Sequence, residues 1–415
     1  MRRLVSLAIS LLTLLVILPI SFSYGLLSGS VSTPSFGVVQ IPEHRISWLH
    51  TEGAKILNAN NEEVIWCGIN SRGIFGSEVG GWQDLIFLDA EDIRIIREHG
   101  LNLVRVWFTL DMMVYGQTPR TPTSINYRPE FWALMDKIVD AAEQYGVWIV
   151  IDFHPWYWSP YFTNAGGFTG FPAWMYDGSW EYGAYYENSM YGMDMAIKYF
   201  FNIDDPTQDA IRQTYITMWK DIVARYKDRG HVIFSLFNEP LCHWSGKDLW
   251  EQEGQGDTEG HDWGVMYGDF MERTIDEIRA LDGGSHLIIV NQAYVWYWDW
   301  NERIRRPNVV IENHLYNEGN YNKQKDYADD AWRFSQPFEF GEMGGVKSGL
   351  TSLSGTESFI QTCYTLKRND GSLQPVGWIY LRYNPDPYLA ESINPTPEIW
   401  AMLENNLYPD MKYPS

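Results

Sequence analysis

The sequence predicts an α/β fold of the (β/α)8 (TIM) barrel class, with a long aromatic-rich insertion after the third strand. Three observations favour it: eight short apolar segments recur along the chain, helical periodicity lies between several of them, and polar residues directly follow the apolar segments. Continuous apolar strands are typical of a parallel sheet buried on both faces. Strands that alternate with helices suggest such a barrel. A doubly wound open sheet is the alternative, but no GxGxxG motif or P-loop follows an early strand.

The eight predicted strands are short, and most are rich in β-branched or aromatic residues. In chain order they cover residues 64–68, 103–107, 148–151, 232–237, 287–290, 309–311, 338–340 and 376–380. The sequence therefore supplies the number of strands that a (β/α)8 barrel requires.

Two segments between these strands place apolar residues at helical spacing, residues 131–145 and 211–226. Asp205, which precedes a proline, is expected to cap the second helix, because its side chain accepts hydrogen bonds from the first helical turn. Gly100 and Gly146 follow helical segments, at the position where a left-handed glycine commonly ends a helix.

One connection, from residue 152 to 205, is much longer than the others, and residues 156–191 within it contain 14 aromatic side chains. The whole chain has 20 Trp and 26 Tyr, more aromatic residues than a core needs. Flat, partly exposed rings are suited to gripping sugars. We therefore predict an insertion that lies on the functional face.

The composition bounds the class of protein. The chain has 415 residues, of which 45% are hydrophobic and 20% charged, the balance of an ordinary globular protein. Its formal net charge is −22, which repels phosphate backbones and argues against nucleic acid as a partner. No feature of the sequence indicates an obligate protein partner.

The N-terminus predicts export. Arg2 and Arg3 precede an apolar run over residues 4–20, which has the pattern of a secretory signal, although an uncleaved anchor is the alternative. A Ser/Gly-rich stretch follows it. We expect a signal peptide or N-terminal anchor at residues 1–25, a linker at 26–40 and a single catalytic domain at 41–415. The catalytic domain is expected to be secreted or tethered outside the cell.

Three cysteines are present, Cys67, Cys242 and Cys363, and none forms a CxxC pair that would indicate a zinc ribbon or redox dithiol. They allow buried free thiols or a single internal disulfide. One hypothesis is a bridge from Cys67 in the first strand to Cys363 in the last helix but one.

Polar side chains follow nearly every predicted strand, and active sites of (β/α)8 barrels lie at these carboxyl ends. Charged residues that close apolar strands are costly to bury unless they are paired, so a functional cluster explains them better than packing does. We expect Asn291 to be a structural amide. The strand-end residues are Arg105, Asp152, His154, Asn238, Glu239, Asn291, Glu312, Asn313, His314, Tyr316, Glu342, Trp378 and Arg382.

In these motifs the chain resembles glycoside hydrolase family 5, over residues 44–408. Asn-Glu-Pro alone is a weak signal, whereas six motifs in order are a strong one. The resemblance implies a (β/α)8 barrel and retaining glycosidase chemistry. The motifs are Arg105 in Leu-Val-Arg-Val, His154 in Ile-Asp-Phe-His, Asn238-Glu239-Pro240, His314-Leu-Tyr316, Glu342 and Trp378.

The resemblance implies that Glu239 is the catalytic acid/base and Glu342 the nucleophile. Retention would require carboxyl groups about 5–5.5 Å apart. We expect Arg105 to keep Glu342 charged and Tyr316 to donate a hydrogen bond to it. Repulsion from Glu342 is expected to hold a proton on Glu239.

The remaining motif residues have implied supporting roles. Asn238 would bind the sugar 2-hydroxyl and His154 another hydroxyl of the same sugar. His314 would lie near Glu239 and help set its protonation. Trp378 would form the floor beneath the sugar, with a barrel-mouth core aromatic as the competing interpretation.

Further aromatic residues are candidates for substrate binding. Trp156, Trp158 and Trp174 in the insertion could stack on sugar rings or pack the long loop, and we expect some of each. Trp244, which follows the acid/base loop, is a further candidate.

The sequence thus predicts a secreted, retaining endo-β-1,4-glucanase that acts on cellulose and related β-glucans. An endo-β-1,4-mannanase with the same catalytic pair is the main alternative. A non-catalytic carbohydrate-binding barrel is the alternative from another class. The expected partner is a β-1,4-linked polysaccharide, and the chemistry requires no metal or cofactor.

Overall fold

Eight parallel strands close into a barrel in the computed structural model, in the order β10-β3-β4-β5-β6-β7-β8-β9. The strands are β3 (Cys67–Ser71), β4 (Leu103–Phe108), β5 (Trp148–Phe153), β6 (Val232–Ser235), β7 (Ile288–Asn291), β8 (Val309–Leu315), β9 (Phe338–Gly344) and β10 (Gly377–Tyr383). The structure describes residues 48–71, 88–114, 121–155, 158–162, 170–181, 183–240, 263–292, 303–316, 323–383 and 394–414.

The (β/α)8 prediction is confirmed, and each predicted strand corresponds to a barrel strand. The open-sheet alternative is wrong, because the last strand pairs with the first: Trp378 is the register partner of Cys67, and Tyr380 that of Ile69. The largest difference in where a strand begins is in the first strand, which starts at Cys67 rather than at residue 64.

Helices alternate with these strands. Within the described residues they are α1 (Ala90–Glu98), α2 (Leu110–Met113), α3 (Pro129–Tyr145), α4 (Met190–Phe201), α5 (Asp209–Tyr226), α6 (Trp263–Asp282), α7 (Gln324–Trp332), α8 (Leu353–Thr365) and α9 (Pro397–Asn405). Gly146 ends α3 with a left-handed φ of 66°, as expected. Asp205 caps a short 3-10 turn, Pro206–Gln208, and α5 begins directly after that turn rather than at the cap itself.

The interior of the barrel has two halves. Near the amino ends of the strands a cluster of buried apolar side chains fills it, and it includes Leu103, Trp148, Ile233 and Ile289. The antiparallel hairpin of β1 (His50–Glu52) and β2 (Lys55–Leu57) adds Ile56 to this cluster. Buried polar side chains occupy the carboxyl ends of the same strands. The two halves place the functional groups at one end of the barrel.

The segment between β5 and α5 contains α4 and two 3-10 turns, Pro160–Phe162 and Ala173–Met175. Its aromatic side chains pack on one another and on the barrel: the Trp158 ring lies 5.2 Å from the Phe200 ring and 5.4 Å from the Phe237 ring. Asp111 in α2 joins this segment to the barrel, since its Oδ1 accepts a hydrogen bond of 3.0 Å from the Gly170 N–H.

The two cysteines in the described residues, Cys67 and Cys363, are buried free thiols, so the hypothesised bridge between them is wrong. Each sulfur has a polar neighbour instead, Tyr364 Oη at 3.4 Å from Cys67 and Gln324 Nε2 at 3.2 Å from Cys363. Burial raises the pKa of Cys67 to about 11, which keeps that thiol protonated. Cys242 lies outside the described residues.

The segments expected to carry the signal peptide and linker, residues 1–40, also lie outside the described residues. Within the part of the chain that the structure describes, each helix is too short or too polar to cross a membrane.

Candidate active site

Six barrel strands deliver polar side chains to one mouth of the barrel. Because parallel strands all end at the same rim, residues far apart in sequence meet there. They are Asn70 from β3, Arg105 from β4, Asp152 from β5, Asn291 from β7, Glu312 and His314 from β8 and Glu342 from β9, with Asn238 and Glu239 directly after β6.

Arg105 is the centre of this cluster and is fully buried. Its terminal nitrogens donate hydrogen bonds to Asn70 Oδ1 (3.1 Å), Glu342 Oε1 (2.8 Å), Asp152 Oδ1 (2.9 Å), Asn238 Oδ1 (2.8 Å) and Glu312 Oε1 (3.1 Å). Burial alone would lower the pKa of Arg105, but the surrounding carboxylates outweigh burial and raise it. The guanidinium therefore balances several buried negative charges.

Glu342 is held at the mouth by these contacts and by its position on a bulged strand. Its side chain is 6% exposed, and it accepts hydrogen bonds from Arg105 and from the Tyr316 hydroxyl. On β8 and β9, Asn313 pairs with Phe340 but His314 pairs with Glu342, so Gly341 is an extra residue in β9. This bulge turns Glu342 toward the site. A Cβ on Gly341 would lie 2.0 Å from Glu312 Oε2, which leaves room only for glycine.

Glu239 faces Glu342 across the mouth. It has a positive φ of 41°, and its side chain is 18% exposed. Its Oε1 lies 2.7 Å from His314 Nδ1, and that same nitrogen lies 3.7 Å from Glu342 Oε2. A carboxylate oxygen of Glu239 and one of Glu342 lie within 4.8 Å of each other. Retaining glycosidases place their carboxyl groups about 5–5.5 Å apart and inverting ones about 6.5–9.5 Å, so the pair has the spacing for retention.

His314 lies between three carboxylates. Burial alone would lower its pKa, but Glu342, Glu239 and Glu312 together raise it to about 10. The imidazole is therefore a cation at neutral pH, and it favours the ionised form of Glu239, whereas the charge on Glu342 disfavours that form. A metal ion would bind the Glu239, His314 and Glu342 cluster only by displacing the proton of His314, because metal ligands must be deprotonated.

Asp152 orients the His154 ring, since Asp152 Oδ2 lies 2.8 Å from His154 Nδ1. Burial alone would raise the pKa of Asp152, but Arg105 and His154 outweigh burial and lower it. The His154 ring stacks on Trp107 at 3.9 Å, with 11° between the planes. His154 Nε2 lies 3.4 Å from Asn238 Nδ2, so the two residues expected to bind hydroxyls of one sugar are neighbours.

Four residues of the cluster were not among the predicted site residues, and one of them is Asp152, which was noted at a strand end without a role. Glu312 was noted at a strand end without a role, and its Oε1 lies 2.7 Å from Asn291 Nδ2. Asn291, expected to be structural, thereby supports the cluster. Asn70 Oδ1 accepts hydrogen bonds from Arg105 and from the Trp107 indole at 3.1 Å. Asn70 lies two residues beyond the predicted end of the first strand, and a later end of that strand would have revealed it.

The structure contradicts the expectation that Trp378 forms the floor beneath the sugar. Its side chain is fully buried, and the indole N–H donates a hydrogen bond of 2.7 Å to the Tyr364 hydroxyl of α8. The next residue, Ile379, belongs to the apolar cluster inside the barrel. Because side chains alternate along a strand, Trp378 faces the helices rather than the mouth.

The insertion aromatics that the structure describes also pack rather than line a cleft. Trp158 is 3% exposed, and its indole N–H donates to the Tyr176 hydroxyl at 2.8 Å. Trp174 is 8% exposed and lies edge-on to Trp180 at 5.1 Å. Of the two uses expected for these rings, Trp158 and Trp174 therefore show packing. Trp156 and Trp244 lie outside the described residues.

A family model and several known proteins are similar to this chain. The family model described as cellulase (glycosyl hydrolase family 5) matches residues 57–339. An endoglycoceramidase from Hydra vulgaris is 27% identical over 190 residues, which cover 40% of this chain and 35% of that protein. A mannan endo-1,4-beta-mannosidase A from Aspergillus aculeatus is 25% identical over 205 residues, 49% of this chain and 42% of that protein.

The chain thus spans well under half the length of these two curated relatives. Among solved structures, that of an endogalactoceramidase superposes with a TM-score of 0.62 at 17% identity, over 86% of this chain and 85% of that one. At that identity the likeness supports the fold alone.

Proposed function

We propose that this chain, which belongs to glycosyl hydrolase family 5, is a retaining endo-β-1,4-glucanase. The observation that carries the proposal is the facing pair of carboxylates, whose oxygens lie within 4.8 Å of each other. A single cation, Arg105, joins the nucleophile to the groups that would hold the sugar. A glucan is the first choice of substrate, because the family model that matches the chain is described as a cellulase.

In the first step of this mechanism, protonated Glu239 gives its proton to the glycosidic oxygen while Glu342 attacks the anomeric carbon. The bond to the leaving sugar breaks, and a covalent glycosyl-enzyme forms. Arg105 and the Tyr316 hydroxyl, which contact Glu342, hold the carboxylate in place for the attack. His154 and Asn238 would bind the hydroxyls of the reacting sugar.

In the second step, Glu239 removes a proton from water, which attacks the anomeric carbon and releases Glu342. The protonated His314 beside Glu239 stabilises the carboxylate that forms in the first step and that must act as base in the second. The two displacements together retain the β-configuration of the product.

Two other substrates have a specific observation in their favour. The Aspergillus relative is named as a mannanase and the Hydra relative as an endoglycoceramidase. Exposed Leu350 and Leu353 follow β9, at the end of the barrel that carries the site, where an apolar aglycone could rest. A non-catalytic binding protein has less support, because it has no need for a facing carboxylate pair held by a buried arginine.

The test is a substrate panel with the full chain. Reducing ends are measured on carboxymethylcellulose and mannan, and sugar release is measured on a glycosylceramide in detergent. We expect the highest rate on the glucan, and the β-anomer as the first product by proton NMR. Glu342→Gln should abolish the activity, while the matched control Glu272→Gln in α6, away from the mouth, should retain it.

An α-anomer as first product would contradict the retaining mechanism. A higher rate on mannan or glycosylceramide would keep the mechanism and replace the substrate. Activity that survives Glu342→Gln would show that the nucleophile is misassigned, and binding without turnover on all substrates would favour the carbohydrate-binding alternative.

We infer export of the chain from the Arg2-Arg3 pair and the apolar run over residues 4–20, with residues 41–415 as the catalytic domain. Fractionation of cells that express the full gene tests this inference. Activity in the medium or on the cell surface supports it, and activity confined to the cytoplasm contradicts it.

A further inference from the structure

Arg382 lies near the end of β10, on the wall of the active site. Its Cζ atom is 6.0 Å from the centre of the Trp107 ring. That ring stacks on His154, and its indole N–H donates to Asn70. Arg382 therefore belongs to the same wall as the residues expected to hold the reacting sugar.

Apart from its contact with the Trp107 ring, Arg382 has no hydrogen-bond or ion-pair partner among the described residues, unlike Arg212 and Arg279. Its Nε is buried without a hydrogen-bond acceptor, and its guanidinium forms no ion pair with a described carboxylate. By contrast, Arg212 donates to backbone carbonyls and Asp209, and Arg279 donates to Asp282 and to backbone carbonyls. A half-buried cation at the mouth is thus left with unused donors.

A partly buried cation that has no ion-pair partner among the described residues is costly. Burial lowers the pKa of Arg382, and Glu342 only partly opposes this effect. Glu342 itself is already bonded to Arg105 and Tyr316, so the nucleophile does not need Arg382 as a partner. Because buried charges are expensive unless they are paired, we expect the missing partner to come from the substrate.

The chemistry of the site indicates which group that is. A planar guanidinium matches a carboxylate or sulfate with two parallel hydrogen bonds. Glu239 and Glu342 would repel such a group, and the chain as a whole carries a net charge of −22. An acidic sugar would enter this mouth only if a cation offset that repulsion, and Arg382 is positioned to do so.

We propose that Arg382 is a specificity residue that binds an anionic group, a carboxylate or a sulfate, on the sugar that reacts with Glu342 or on its neighbour. The inference rests on the proposed function and deepens it, because it adds to the β-glucan substrate an anionic group close to the bond that is cleaved.

The test compares two polymers with the same backbone, anionic carboxymethylcellulose and neutral hydroxyethylcellulose, at one fixed ionic strength. We expect Arg382→Gln to lower the ratio of kcat/KM on the anionic polymer to kcat/KM on the neutral one by about tenfold. Arg382→Lys, which keeps the charge but loses the fork, should lower it less. The control Lys55→Gln makes the same charge change at the opposite end of the barrel and should leave the ratio unchanged.

A ratio that Arg382→Gln leaves unchanged would overturn the proposal, and so would an equal loss on both polymers, which would mean that Arg382 binds ordinary hydroxyls. A second measurement does not depend on turnover: calorimetric binding of cellobiose and of its 6′-carboxylate to the Glu342→Gln protein. Tighter binding of the acid, lost on adding Arg382→Gln, supports the proposal even if neither polymer is cleaved. Equal binding of the two disaccharides would contradict it.

Discussion

The two halves of the barrel interior are built from the same strands but have different roles. The apolar half packs the strands together, and the polar half holds the charged side chains of the candidate site. On β4, Leu103 lies in the apolar half and Arg105, two residues later on the same face, is the centre of the polar half. On β5 the same step leads from Val150 to Asp152. Side chains two residues apart share a face of a strand. The apolar half therefore fixes the strands that hold the polar half in register.

The energetic consequences differ as well. The apolar half, at the amino ends of the strands, is called the lower half below. Each of its side chains contributes to stability on its own, in proportion to the area that it buries. In the polar half at the carboxyl ends, called the upper half below, the buried charges stabilise one another. Removing one of them leaves its partners buried and unpaired. Substitutions in the two halves should therefore have different signatures.

The largest effect is expected from removing the cation that joins the upper half. Arg105→Met leaves Asp152, Glu312 and Glu342 without their shared partner, so they must take up protons or repel one another. We expect activity to fall below detection and the free energy of unfolding to drop by about 3–5 kcal/mol. Urea unfolding and a reducing-end assay measure both.

The matched control for Arg105 is Arg128→Met, which removes another buried arginine whose Nε donates to the Val114 carbonyl oxygen. This variant should keep its activity per folded molecule. If Arg105→Met were as active as Arg128→Met, the upper half would not act as one unit.

The next effect distinguishes the two carboxylates that we propose to be catalytic, Glu239 and Glu342. Glu239→Ala should lower kcat by about 10²–10⁴-fold on cellulose derivatives, the usual loss for a general acid/base. On 4-nitrophenyl β-cellobioside, whose leaving group needs no proton, added azide should restore turnover and give a β-glycosyl azide. An α-glycosyl azide, as expected after loss of the nucleophile, would exchange the roles of Glu239 and Glu342.

A substitution in the lower half should lower the stability of the protein without changing its activity per folded molecule. Trp148→Ala removes a fully buried side chain of the apolar cluster, and we expect a loss of about 3–5 kcal/mol in the free energy of unfolding. Activity per folded molecule, measured well below the new melting temperature, should match that of the unchanged protein. A specific loss of kcat at full folding would show that the halves are not separable.

The smallest effect concerns His314 and its dependence on pH. Its folded pKa of about 10 lies above the ordinary value of 6.5, so its stabilising interaction is complete below about pH 6.5 and is lost as the pH rises toward 10. The difference in unfolding free energy between the unchanged protein and His314→Gln should therefore shrink between pH 6 and pH 10. A difference that is constant over this range would show that His314 is not a cation in the folded protein.

The sequence was sufficient for the strands and for the polar residues that follow them, because burial on both faces makes parallel strands continuous apolar runs. The sequence was not sufficient to predict the direction in which individual side chains point. Trp378 and Ile379 are both apolar neighbours, and nothing in their order says which one faces the interior of the barrel and which one faces the helices. Composition also could not tell whether Trp158 and Trp174 line a cleft or pack a loop, since both uses favour large rings. Only the contacts distinguish these alternatives.

The extra residue at Gly341 has a consequence for how such sites arise and are copied. In a regular β9, Gly341 would pair with His314 and Glu342 would fall opposite Leu315, on the face turned to the helices. The same glutamate would then be a buried acid in the helix layer, with no access to a sugar. Transplanting this site onto another barrel therefore means transplanting a strand one residue longer than its neighbour, with glycine at the added position. An alignment that places its gap on the wrong side of Gly341 would still match the proposed catalytic residues by name, but it would place Glu342 on the face of the strand that is turned to the helices.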